Sequence, residues 1–161
     1  MAENEIETKA PVVRVERTIA APAGVVYRAW LDPEVVGRWM APPGRTVTRV
    51  EVDEEVGGHW GIWHTSPEGK EGGFEADIVE LVPGRRLVLA WHFIDIENDL
   101  GKKLDSLLTL EFEDTPDGGT NLTLIHEKLD DLNDAMPELV GRITSGWGQV
   151  LDRLPAVVET S

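Results

Sequence analysis

The order of apolar and polar positions along the chain follows two different periods. In seven segments, apolar residues recur at every second position or form short β-branched runs, which predicts seven β-strands. Turn residues separate these segments, most clearly in the hairpin signal Thr115-Pro116-Asp117-Gly118-Gly119. The predicted strands are 12–19, 46–52, 59–64, 73–81, 87–93, 104–112 and 121–127.

Two short helices are predicted between the first and second strands. Pro22 suits the first turn of one helix, which runs to Trp30. Asp32 has the character of an N-cap and is followed by Pro33 at the first helical position. This second helix is expected to end near Met40, because an Ala-Pro-Pro-Gly sequence follows.

The last part of the chain changes to a helical period and predicts one long helix. Its apolar face is formed by Met136, Leu139, Val140, Ile143, Trp147, Val150, Leu151 and Leu154. The helix also contains Gly141, Gly146 and Gly148, each about 1 kcal/mol less favourable than Ala in a helix interior. We therefore expect either a bend or a closely packed neighbour, and Pro155 is expected to mark an end or a kink.

These elements predict an α+β domain with a seven-stranded curved antiparallel sheet. Short linkers between the strands favour a meander, and the apolar face of such a sheet needs a cover. The long helix is the only large candidate for that cover. A length of 161 residues suits a single domain, expected at residues 12–158 after a flexible leader at residues 1–11.

The balance of charges narrows the range of partners. The chain has 15 Lys and Arg residues against 30 Asp and Glu residues, a formal charge of -15. Such a surface repels phosphates and anionic lipid headgroups, so neither nucleic-acid binding nor an electrostatic membrane anchor is expected. Membrane insertion is not expected either, because the chain lacks a long apolar run. The absence of cysteine excludes disulfides, a Cys nucleophile and thiolate metal sites. The N-terminus has no signal-peptide core and no segment approaches the ~18 apolar residues of a membrane span, so the predicted location is the cytoplasm.

Seven local motifs occur in an order that is informative as a set. They are Arg17–Pro22, Val26–Glu34, Arg38–Gly44, Val56–Trp60, Glu80–Val88, Gly118–Leu124 and Gly146–Leu154. Their order resembles the START-like superfamily (also called SRPBCC) with the helix-grip fold. Within it, the chain resembles the family related to the C-terminal domain of the activator of heat-shock protein ninety ATPase. The resemblance covers roughly residues 12–158.

This resemblance implies an apolar cavity between the sheet and the long helix. Relatives in the superfamily bind lipids, steroids or polyketides, and some act as cyclases or as self-protection proteins. The first expectation is therefore binding or sequestration of a small hydrophobic molecule, without a cofactor or metal. A cyclase- or hydrolase-type enzyme and a co-chaperone-like interaction module in the stress response are the alternatives. A homodimer and a chaperone partner stay open, although the eukaryotic co-chaperone carries a further N-terminal domain that this sequence does not include.

Strand parity predicts which side chains face the cavity, because every second residue of a strand shares a face. Three residues outside the strands are added to this predicted lining: Trp39 and the helix residues Ile143 and Trp147. Trp39 is expected, together with Met40, to gate the opening of the cavity. Loop 95–103 is expected to form a second lip of that opening. The predicted lining is Trp39, Trp60, Ile62, His64, Phe74, Leu89, Trp91, Phe93, Ser106, Leu108, Leu110, Leu124, His126, Ile143 and Trp147. Many of these side chains are equally suited to filling a core. In its sharpest form, the prediction is that Trp60, His64, Trp91, His126 and Trp147 converge on one space.

The inward parity of His64 and His126 suggests the candidate chemistry. We expect them to orient a ligand carbonyl or hydroxyl, or to act as acid or base, because histidine titrates near neutral pH. The alternative is a hydrogen-bonded core histidine. A zinc site is not expected, since His59 and His64 face opposite sides. Ser106 lacks the Gly-x-Ser-x-Gly setting of a hydrolase nucleophile.

Overall fold

The computed structural model describes residues 12–41, 44–94, 101, 105–130, 134 and 138–159. Seven strands and four helices lie within these ranges. The strands are β1 (Val13–Ile19), β2 (Thr46–Val52), β3 (His59–Thr65), β4 (Glu71–Val82), β5 (Arg86–Phe93), β6 (Ser106–Asp114) and β7 (Thr120–Glu127). The helices are α1 (Ala23–Arg28), α2 (Pro33–Trp39), α3 (Leu139–Leu151) and α4 (Leu154–Val158). The predicted leader 1–11, Met136 and all of loop 95–103 except Gly101 lie outside the described residues.

The seven strands form one antiparallel sheet in the order β1-β7-β6-β5-β4-β3-β2. Strands β2 to β7 follow the predicted meander, while β1 joins the far edge beside β7, with Val13 opposite His126. The ladders shift register between Val47 and Arg49 and between Ile78 and Glu80. Such bulges bend a strand and increase its twist, which suits a sheet that curves around helices. The predicted α+β fold is confirmed.

The two short helices begin where the sequence predicts. Asp32 caps α2, since its carboxylate accepts a hydrogen bond from the Glu34 amide at 3.1 Å. Pro33 occupies the first turn, where a missing N–H is not needed. The inner faces of both helices are buried with the concave face of the sheet in one apolar core.

The predicted C-terminal helix is present, but a turn at Asp152 and Arg153 divides it into α3 and α4. Pro155, in the first turn of α4, explains the break. Its ring would clash with the carbonyl of Leu151, four residues earlier, which is where α3 ends. The expected close packing around the helix glycines is seen only at Gly148, where a Cβ would lie 3.5 Å from the Arg17 guanidinium.

Candidate ligand-binding site

A group of aromatic rings in mutual contact lies between the sheet and α3, with Trp91 at its centre. The ring centroid of Trp91 lies 5.1 Å from Trp60, 5.2 Å from Trp147 and 5.3 Å from Phe74. We call this group the interior ring cluster. Its members are Trp60, Phe74, Trp91, Phe93, His126 and Trp147.

A chain of hydrogen bonds through His126 fastens α3 to three strands. The indole of Trp147 donates to His126 Nδ1 at 3.1 Å. Because an indole can only donate, the neutral imidazole must carry its proton on Nε2. That proton points to Ser106 Oγ at 2.9 Å, and the Ser106 hydroxyl donates to the carbonyl oxygen of Trp91 at 2.9 Å.

The same arrangement determines what His126 can do chemically. Its side chain is fully buried, and this burial lowers the pKa of His126 to about 3. A general base toward Ser106 would need a free lone pair on Nε2, but Nε2 holds the proton. The pair therefore does not have the arrangement of a serine hydrolase, and an acid–base role for His126 is not favoured.

Four fully buried tryptophans differ in the bonding of their indole N–H groups. Trp39 donates to the carbonyl of Ala29 at 3.0 Å, and Trp60 donates to the carbonyl of Trp30 at 2.8 Å. The indole N–H groups of Trp30 and Trp91 are buried and have no acceptor among the described residues. A buried donor without an acceptor costs about 1–3 kcal/mol, so these two groups are unusual in a native interior.

His64 lies at the edge of the interior ring cluster. Its ring contacts Phe74 edge-on at 5.9 Å, and its Nδ1 is 3.3 Å from Nη1 of Arg45. The path from His64 to His126 passes through Phe74 and Phe93, so the two histidines are not neighbours. Of the five side chains expected to converge, the other four lie together and His64 is one ring away.

The aliphatic residues of the predicted lining surround the cluster at different depths. Leu108 is opposite His126 and next to Leu89, so both flank the hydrogen-bonded chain. Leu110 and Leu124 oppose each other one pair further along, toward the hairpin end of the sheet. The two remaining members, Ile62 on β3 and Ile143 on α3, are buried as well.

Trp39 and Met40 do not lie at an opening. Both side chains are fully buried, and the Trp39 ring packs edge-on against Trp30 at 4.7 Å. Their expected role as a gate is therefore not supported by their position. That any of the predicted residues contacts a ligand stays a prediction.

Two residues of this region were not singled out from the sequence. Helical spacing predicts burial of Trp30, but it contains no signal that the ring reaches Trp147, at 6.1 Å. Arg45 precedes β2 and belongs to no periodic segment, so the sequence does not mark it. Its neighbours, His64 and Lys70, come from β3 and from the hairpin between β3 and β4.

The described residues contain no group of three His, Asp or Glu side chains placed to hold a metal ion. Within the same ranges, no helix is long and apolar enough to cross a bilayer.

Comparison with known proteins places this geometry in a family. The family model described as Activator of Hsp90 ATPase homolog 1-like protein matches residues 20–159. The chain belongs to this family. Among proteins with curated descriptions, none matches the chain.

Solved structures of proteins similar to this chain have the same fold. A crystal structure of a protein from Chromobacterium violaceum is 31% identical, with a TM-score of 0.79 over 92% of this chain and 97% of that one. An AHSA1-like protein from Aeromonas hydrophila, solved by NMR, is 21% identical, with a TM-score of 0.73 over 92% of each chain. The AHSA1 protein from Silicibacter pomeroyi is 23% identical, with a TM-score of 0.73 over 90% of this chain and 95% of that one.

Proposed function

We propose that this chain binds a small, mainly apolar molecule that carries a hydrogen-bond acceptor, held between α3 and the sheet. The observation that carries the proposal is the pair of buried indole donors, on Trp30 and Trp91, that have no acceptor among the described residues. An apolar surrounding with a few polar groups that fix orientation is the usual make-up of a small-molecule site.

The position of these donors supports a shared ligand. The ring of Trp147 is close to both of their rings, 6.1 Å from Trp30 and 5.2 Å from Trp91. A ketone, ester or ether oxygen that reached either N–H would gain a hydrogen bond in a dry environment. Binding would then recover the desolvation cost that the free protein carries.

Catalysis by the interior histidines is the weaker alternative. An ordered polar pair is present, since Ser106 and His126 are 2.9 Å apart. However, both groups already use their protons within the protein. His126 Nε2 donates to the Ser106 hydroxyl, and that hydroxyl donates to the backbone carbonyl of Trp91. Carriage or sequestration therefore fits the arrangement better than acyl transfer does.

The sharpest test observes the indole groups directly. Protein labelled with nitrogen-15 in its six tryptophans gives one N–H signal for each indole. We would titrate it with acetylnaphthalene, which has a carbonyl acceptor, and with ethylnaphthalene, which has the same shape and none. The signals of Trp91 and Trp30 should move strongly with the ketone and weakly with the hydrocarbon.

The bonded indoles of Trp39 and Trp60 provide an internal control, because their acceptors are already supplied by the backbone. Their signals should stay nearly fixed. Binding of the ketone without movement of either free donor would remove the basis of the proposal. Absence of binding by ketone-bearing apolar probes as a class would end it.

A further inference from the structure

We propose that Arg45 and His64 form a recognition site for a carboxylate at the rim of the interior ring cluster. This inference rests on the proposed function and narrows the ligand class to apolar molecules with an acidic end. It starts from an arginine that has neutral acceptors around it but no anion among the described residues.

Arg45 is half-buried and in an unusual electrostatic setting. Its Nη1 lies 3.3 Å from both His64 Nδ1 and the carbonyl oxygen of Lys70. None of the described carboxylates forms an ion pair with it, in a chain of formal charge -15. A guanidinium held in place by neutral groups keeps further donors for a carboxylate, which it binds in a fork geometry.

The rings next to this arginine lead inward. His64 is 3% exposed and contacts Phe74, which is half-buried and packs on Trp91 at 5.3 Å. The residue opposite His64 on β4 is Gly72, which has no side chain, so the histidine ring contacts Phe74 two residues further along the same strand. An apolar chain that passes Phe74 would therefore reach the unbonded indole of Trp91 while its acidic end stays at Arg45.

His64 contributes position more than charge. Because a guanidinium only donates, His64 Nδ1 accepts from Arg45, and the neutral ring carries its proton on Nε2. The imidazole thus holds the guanidinium at the rim without adding a second positive charge. The remaining N–H groups of the Arg45 guanidinium suit the two oxygens of one carboxylate.

The test compares two probes that differ in charge and by one methyl group. Decanoate and methyl decanoate share the same chain and a carbonyl acceptor, but only decanoate is anionic. Calorimetry on the intact protein should show decanoate binding about tenfold more tightly, the effect of one charge-assisted hydrogen-bonded pair. In Arg45→Met this preference should disappear, while methyl decanoate binds as before.

The matched control is Arg49→Met. Arg49 lies in β2, four residues after Arg45. Its guanidinium stacks over the ring of Trp63 at 3.9 Å, on the other face of the sheet. The substitution removes the same charge, so the preference for decanoate should survive. Circular dichroism and thermal melting would verify that both variants are folded.

The outcomes separate this inference from the proposed function. Equal binding of both probes by the unmodified protein, or a preference retained in Arg45→Met, would overturn the carboxylate site and leave the apolar ligand in place. Failure of both decanoyl probes and of acetylnaphthalene would overturn the two together. A preference lost equally in Arg45→Met and Arg49→Met would show a general charge effect and also contradict the site.

Discussion

The two helical parts that cover the sheet are fastened in different ways. On one side, the carbonyls of Ala29 and Trp30, just beyond α1, accept the indole protons of Trp39 and Trp60. On the other side, the Trp147 indole of α3 donates to a buried histidine, and the Gly148 carbonyl accepts from the Arg17 guanidinium at 3.4 Å. That helix also contains three glycines. The comparison indicates a fixed wall at α1 and an adjustable wall at α3. The Trp91 ring, whose N–H has no acceptor among the described residues, packs against Trp147 of α3.

The wall at α1 is fixed because the last carbonyl groups of a helix need hydrogen-bond donors from outside the helix. Carbonyls up to Arg28 accept from later backbone amides, while Ala29 and Trp30 come after the last turn. Carbonyls at such an end need a partner from outside the helix. Two tryptophans from elsewhere in the chain supply it, so burying these rings also completes α1.

The largest expected effect comes from breaking this fastening. Trp60→Phe removes the indole donor, leaves the Trp30 carbonyl buried without a partner and leaves a small gap. The free energy of unfolding should fall by about 3 kcal/mol. Urea denaturation monitored by circular dichroism would measure it. A loss below about 1 kcal/mol would mean that the bond does not hold α1.

The next effect concerns the histidine that fastens α3. Burial lowers the pKa of His126 to about 3, from 6.5 in the unfolded chain. Between these values only the unfolded state takes up the proton, so this contribution to stability is complete above pH 6.5 and is lost as the pH falls toward 3. From pH 7 to pH 5 the loss due to His126 should be about 2 kcal/mol.

The control for this prediction is His126→Gln, which does not titrate. The difference in unfolding free energy between the unmodified protein and this variant should shrink as the pH falls from 7 to 5. Carboxylates contribute equally to both proteins and cancel in the comparison. A difference that stays constant would show that His126 is exposed to water in solution.

Trp91→Phe sharpens the comparison, because it repeats the chemistry of Trp60→Phe at an equally buried ring without a hydrogen bond to lose. We expect a loss of only about 1 kcal/mol, mainly from the lost ring volume. The same variant should weaken the binding of acetylnaphthalene more than that of ethylnaphthalene. Equal stability losses at positions 60 and 91 would show that the hydrogen bond from the Trp60 indole to the Trp30 carbonyl does not contribute to stability.

The smallest effect is expected in α3 itself. Gly141 is exposed and a Cβ there meets nothing within 4 Å, so Gly141→Ala should raise the free energy of unfolding by about 0.7 kcal/mol through helix propensity alone. Thermal denaturation would detect the gain. If the variant were destabilised instead, the helix would not be formed at this position in solution.

Much of the fold could be predicted because it depends on local patterns. Alternation placed the strands within one or two residues, and Asp32 with Pro33 located the start of α2. Pro155 predicted that the helix would end or kink, but it did not predict that a second helix would begin after the turn at Asp152 and Arg153. For the site, parity correctly separated His64 and His126 from the outward histidines. It could not supply their partners, which depend on how α3 and the hairpins are placed in three dimensions.

Tryptophans show this limit most clearly. The sequence marks Trp30, Trp39, Trp60 and Trp91 as large rings of similar apolar character. Which of them meets a carbonyl depends on the height at which α1 sits over the sheet, and no local pattern encodes that height. The sequence alone therefore does not distinguish the hydrogen-bonded indoles of Trp39 and Trp60 from the unbonded indoles of Trp30 and Trp91.

The position of β1 at the sheet edge has a consequence for the order of folding. Among the described strands its partner is β7, so the first of these strands pairs with the last. The meander from β2 to β7 can form by short-range pairing, but joining β1 closes the long loop between Ile19 and Thr120. Until then, the edge of β7 is open, and a nascent chain held at that stage is the form most exposed to pairing with another molecule.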